Sequence, residues 1–283
     1  MNKSILFPAV LAGTLLLTAC GQETKEEKPV TEETEKTASV ALSKETDAYK
    51  AYTVDQIDQF VKETDKFVTA FKAGNIEEAK ALYPKARMYF ERSEPVAESF
   101  GDLDPRIDAR LADMKAEGKE KEWSGYHKLE KALWQDKTTK GLEGTADQLL
   151  KDAKELRAKV DTAEVTPKLM LQGSIDLLNE VSTSKISGEE EIYSHTDLYD
   201  FKANIEGAEK IFSLFKEKII AKDKALATNI EDKFKNVNQL LDKHQKNGEF
   251  VSYEALTKED TKALADAVDK LGEPLSQMAI IME

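Results

Sequence analysis

One cysteine and three histidines are all that 283 residues contain of those two side chains. A lone thiol excludes an internal disulfide framework, so the fold must rest on packing, and it disfavours copper(I) and iron–sulfur chemistry. Glycine (13) and proline (7) are too scarce for the many turns of an all-β chain. Positive charge is also short, 41 Lys and Arg against 54 Asp and Glu for a net charge of −13. That balance excludes nucleic acid as a partner, because phosphate recognition needs a dense basic face. With 40% hydrophobic and 34% charged residues, the chain is too apolar for wholesale disorder and too polar for a multispanning membrane protein.

Residues 1–19 read as a leader: a basic start at Lys3, then an apolar run from Ile5 to Ala19 that is too short to serve as a spanning anchor. The run ends in Leu17-Thr18-Ala19-Cys20-Gly21, which resembles the bacterial lipobox. The single cysteine, Cys20, is then the lipidation site and first mature residue, and acyl chains on it hold the protein at the extracytoplasmic face of the cell membrane. Residues 20–49, rich in Glu, Lys, Thr and Ser, read as a disordered tether.

Residues 50–283 carry apolar residues at helical spacing, with no sustained alternation, and predict an all-α body. Thr53 and Gln56 form a capping-box pattern ahead of Ile57, Phe60, Phe67 and Phe71, and Gly74 closes that helix. Asn75 caps a helix through Pro84 to Phe100, with a kink expected at Pro84. Asp104-Pro105 starts a helix with Ile107, Leu111 and Met114 inward. Further helices are expected near Trp123–Trp134, over Leu142–Val160, from Thr166-Pro167, over Asp197–Ile220, from Asp223 to about Lys246, and from Lys258 onward; residues 187–196 read as an irregular connection. Short connections between antiparallel neighbours predict two packed four-helix bundles.

Several residues offer chemistry. His127 and Glu130, three apart, share a helix face and can share a ligand; the same spacing also suits a plain surface hydrogen bond. Glu91 and Glu94 repeat that spacing, either as a cation site or as a solvated face neutralised by Arg87 and Arg92. Asp108 is either a ligand or a solvated acid, while Asp104 is better explained as a cap. Ser187 with Glu190 fits a capping box, as do Ser194 and Asp197 around His195, and His244 suits a helix C-terminus. Carboxylates and histidines on facing helices are how bundles build metal sites, and this donor set suits iron, zinc or manganese.

Four blocks in order, Arg87 to Pro95, Asp102 to Asp108, Gly125 to Trp134 and Ser187 to Leu198, resemble the imelysin-like family, specifically its EfeO/EfeM-type iron-uptake lipoproteins. The resemblance implies two helical bundles around a cleft in which His127 and Glu130 are metal ligands, joined by Glu91, Glu94, Asp108 and Glu190. It implies iron, as Fe2+ or Fe3+, as the cargo, with zinc or another divalent metal also accommodated. The implied partners are an EfeU-type permease and an EfeB-type haem peroxidase. The tether stands where longer members carry a cupredoxin domain, so the chain is similar to the short form.

The reading is therefore a lipid-anchored iron-binding protein that delivers iron to a permease, and not an enzyme. Two others compete. A metallopeptidase lacks its His-Glu-x-x-His motif here. A polysaccharide- or peptide-binding module with structural calcium would use oxygen ligands alone, and His127 argues against it.

Overall fold

The computed structural model describes residues 42–282. The leader, Cys20 and the tether as far as residue 41 lie outside the described residues.

Helix α1 (Ser43–Lys72) starts before the predicted end of the tether. Leu42 and Tyr49 are buried, and they extend the apolar stripe of Phe60, Phe67 and Phe71 upstream by two turns, so Ser43 to Tyr49 belong to the folded body. Thr53 consequently caps nothing; it lies mid-helix and its hydroxyl donates to the Tyr49 carbonyl. After Gly74, α2 (Ile76–Glu91) accommodates Pro84 in its interior. It ends well before Phe100, and Pro95 opens a separate 3-10 segment, Glu94–Phe100. That segment lies directly on the helix Pro167–Thr183, where a Cβ on Gly173 would fall 1.9 Å from the Pro95 carbonyl oxygen.

The helix expected after Asp104-Pro105 is two, α3 (Leu103–Asp108) and α4 (Leu111–Ala116), joined by extended backbone at Ala109 and Arg110. The indole of Trp123 donates to the Ala109 carbonyl and takes an acceptor that a continuous helix would use. Ile107 is buried as predicted, but Leu111 and Met114 are partly exposed.

Helix α5 (Tyr126–Lys131) runs into a wider π turn over Ala132–Asp136. Next come α6 (Glu143–Val160) and α7 (Pro167–Thr183), the latter capped by the Thr166 hydroxyl accepting from Leu169 N–H. Helices α8 (Asp197–Lys222), α9 (Lys224–Asp242) and α10 (Lys258–Met282) complete the fold. The predicted run of α9 to Lys246 instead ends in a small hairpin, β1 (Gln245–Lys246) with β2 (Glu249–Phe250), turned by Asn247 and Gly248 at positive φ. Asn-Gly is a strong hairpin signal.

Helices α7, α8, α9 and α10 pack as one four-helix group, while α1, α2 and α6 pack as a second. The first half of α8 packs on α2 as well, so this helix serves both groups and one continuous core runs through the body.

Candidate metal centre

The end of α2 carries Arg87 and Glu91 inward, and the Arg87 side chain is only 1% exposed. A buried guanidinium must be paired, and five carboxylates surround it. Its Nη2 lies 2.6 Å from Glu91 and 3.8 Å from Glu190, its Nε 2.7 Å from Glu191 and 3.4 Å from Asp200, and its Nη1 donates to Asp108. Arg87 is thus the centre of the polar chamber and does not neutralise a solvated face.

Gly125, at φ +83°, brings α5 to this chamber; a Cβ there would sit 2.3 Å from the Ile107 carbonyl oxygen. His127 follows in the first turn of α5, 2% exposed. Its Nδ1 lies 3.1 Å from Glu130 Oε2, while Glu130 Oε1 accepts the backbone N–H groups of Tyr193 and Ser194 at 3.0 and 2.7 Å. Glu130 therefore fixes the ring and has both oxygens engaged. The other ring nitrogen, Nε2, is buried with no hydrogen-bond partner. It faces Asp108 Oδ1 at 3.6 Å and Glu190 Oε1 at 3.8 Å.

A first-row ion about 2.1 Å from each donor holds donors roughly 3.0–3.4 Å apart, so a small inward movement of Asp108 and Glu190 would seat one. Asp108, His127 and Glu190 offer one such set of donor atoms within 4.8 Å of one another. Two others overlap with it: His127, Glu130 and Glu191, and Glu91, Glu94 and Asp108.

Charges in the chamber shift one another. Burial and Arg87 oppose a proton on His127, yet the hydrogen bond to Glu130 and the nearby Asp108 and Glu191 carboxylates prevail and push it up to about 9. Burial works against ionised Glu190, but Lys185, His127, Arg87 and Arg110 hold it down at about 2. Burial, then Glu130, pushes Glu191 up to about 8. Glu190 is thus an ionised donor at neutral pH, and a metal ion bound at His127 would have to displace a proton from it.

All six predicted metal residues meet in this chamber. Glu190 does not belong to a capping box: Gly188 turns left-handed, no helix follows, and Glu190 points inward. His195 and His244 stand apart, near Glu254 and Asp260. Sequence reasoning missed Glu191, Asp200, Asn204 and Lys185. Asp200 and Asn204 had a readable signal, since polar residues stand there on the buried stripe of α8 beside Phe201 and Ile205. Lys185, in the 3-10 turn Lys185–Ser187, had none.

A cleft of about 1020 Å³ opens onto Asp108, Glu190, Glu94 and Lys185, with Asp104, Asp113 and Glu180 along its walls. A smaller cavity of about 140 Å³ reaches His127 and Glu130 past Arg110 and Tyr193. Arg110 lies between the two, pairing with Asp113, Glu189 and Glu190.

Fold and site together define an all-helical protein with a buried histidine–carboxylate chamber at the junction of its two helix groups. The chain belongs to the imelysin family, whose model matches residues 45–278, and within it to the EfeM/EfeO family. It is 60% identical over 280 residues, 97% of this chain and 98% of the relative, to the "Efem/EfeO family lipoprotein" of Staphylococcus haemolyticus. Proteins with the same name from Staphylococcus aureus strains MSSA476 and N315 are 65% and 64% identical over 244 residues, 86% of each chain.

Proposed function

We propose that this protein is a lipid-anchored iron-binding protein at the extracytoplasmic face, which captures iron in the chamber around His127 and delivers it to an EfeU-type permease. An EfeB-type haem peroxidase belongs to the same system. The relatives' shared name, lipoprotein, supports anchoring through Cys20, and no described helix is long and apolar enough to cross a membrane.

One observation carries the iron reading: a buried imidazole nitrogen without a hydrogen-bond partner, held by Glu130 and aimed between two carboxylates. Burying such a group unpaired costs free energy, which a metal ion repays. His127, Asp108 and Glu190 serve as ligands; Glu130 acts through His127, and Glu91 and Glu94 complete the acidic surround. The acids lining the cleft draw cations toward the site. The chain acts by binding and release, not by catalysis, and protonation of the carboxylates offers one route of release.

Titration with iron, zinc and calcium tests this. The native chain is expected to bind iron, and His127→Ala to bind it at least about a hundredfold more weakly, because losing a ligand costs more than the roughly 10–100-fold lost with a partner that only orients one. Iron binding indifferent to His127 overturns the proposal. Calcium binding indifferent to His127 would favour a calcium module, and chelator-sensitive casein cleavage a peptidase.

A further inference from the structure

Beside the unpartnered His127 nitrogen lies a second cation position that is already filled. Lys185 Nζ, buried, is 3.1 Å from Glu94 Oε2, 3.3 Å from Glu91 Oε2 and 3.7 Å from Glu190 Oε1. From α8 the amide of Asn204 donates to the same two oxygens, at 2.9 Å to Glu91 Oε2 and 3.1 Å to Glu94 Oε2. Glu91 and Glu94, with Asp108, are themselves a donor set compact enough for an ion. The two positions share Asp108 and Glu190. One presents a buried imidazole nitrogen without a hydrogen-bond partner, and the other holds an ammonium that donates to Glu91 and Glu94 and faces Glu190.

We propose that Lys185 is a built-in cation that occupies this second position, limits the native chain to one metal ion and so sets the stoichiometry of the site. The inference rests on the metal-binding reading of His127. Its physical basis is charge and space. An ion entering between Glu91 and Glu94 must first expel a buried ammonium from the carboxylates that hold it in a low-dielectric chamber. Asn204 can adjust to such an ion, because its Oδ1 is buried without a partner.

Counting bound ions decides the matter, with zinc as a redox-silent probe beside iron. The native chain should take up one equivalent, lost in His127→Ala. Lys185→Met, which keeps the bulk and removes the charge, should take up two, and the second should vanish in Lys185→Met/Glu94→Gln; Lys185→Arg should stay at one. Should Lys185→Met not fold without metal, recovery of its fold on adding zinc supports the proposal, and failure to recover at saturating zinc overturns it. A native chain that binds one His127-dependent ion, with the count unchanged in Lys185→Met, overturns the role of Lys185 alone. A native chain that binds no ion overturns both readings.

Discussion

His127 and Glu130 share a helix face three residues apart, and that spacing alone does not say whether they are two ligands or a ligand and its support. Contacts from outside α5 separate the cases. Both Glu130 oxygens are taken, by the imidazole and by two backbone N–H groups of the 188–196 loop. Glu130→Gln should therefore weaken metal binding by about 10–100-fold, as expected for a partner that orients a ligand, without abolishing it. Calorimetric titration of the purified variant checks this, and a complete loss matching His127→Ala would make Glu130 a ligand itself. The same scale explains what was missed. Along the sequence Arg87 reads as a surface counter-charge because the acids near it, Glu91 and Glu94, are local, whereas most of the acids that bury it come from positions 108, 190, 191 and 200.

Among the elements, α5 depends on the close approach of its N-terminus to α3. Gly125→Ala would force a side chain into left-handed backbone and against the Ile107 and Arg106 carbonyl oxygens, at 2.3 and 2.8 Å. The expected cost is about 2 kcal/mol or more of stability. Thermal unfolding should show it directly, and metal affinity should fall as well because His127 stands two residues on. A variant with native stability and native affinity would mean that α5 is free to shift without disturbing the site. Helix positions were legible in the sequence because apolar spacing is a local property, as in α7 with its Thr166 cap and Pro167 start. Boundaries set by distant contacts were not. The break between α3 and α4 follows from the Trp123 hydrogen bond to Ala109, and the loss of Thr53 as a cap follows from the burial of Tyr49 beyond it.

For the whole molecule, the chamber stores protons. Burial, reinforced by neighbouring acids, raises Asp197 to about 6 against two backbone hydrogen bonds, and raises Asp104 to about 7 and Glu191 to about 8. Hydrogen bonding and carboxylates, working against burial, raise His127 to about 9. The folded chain then binds more protons than the unfolded chain, so these groups stabilise it fully below their ordinary values and lose that contribution as pH rises through the shifted ones. Glu190, held at about 2, works in the opposite sense, but only in acid below its ordinary range. The metal-free protein should accordingly have a lower thermal midpoint at pH 9 than at pH 6, and bound metal, which replaces proton charge in the chamber, should reduce the difference. Scanning calorimetry with and without zinc tests this; a metal-free midpoint that rises from pH 6 to pH 9 would contradict it.

The sequence by itself determined the all-α class, most helix cores and six of the residues that meet in the chamber, because hydrophobic period and blocks of motif are properties of neighbouring residues along the chain. Only the tertiary structure decided how those six are paired. Which carboxylate is neutralised by Arg87 or Lys185, and which imidazole nitrogen is left without a partner, depends on distances between α2, α3, α5, α8 and the 188–196 loop. Electrostatic pairing is set by separation in space, and positions 87 and 200, or 91 and 185, become neighbours only when the helices pack.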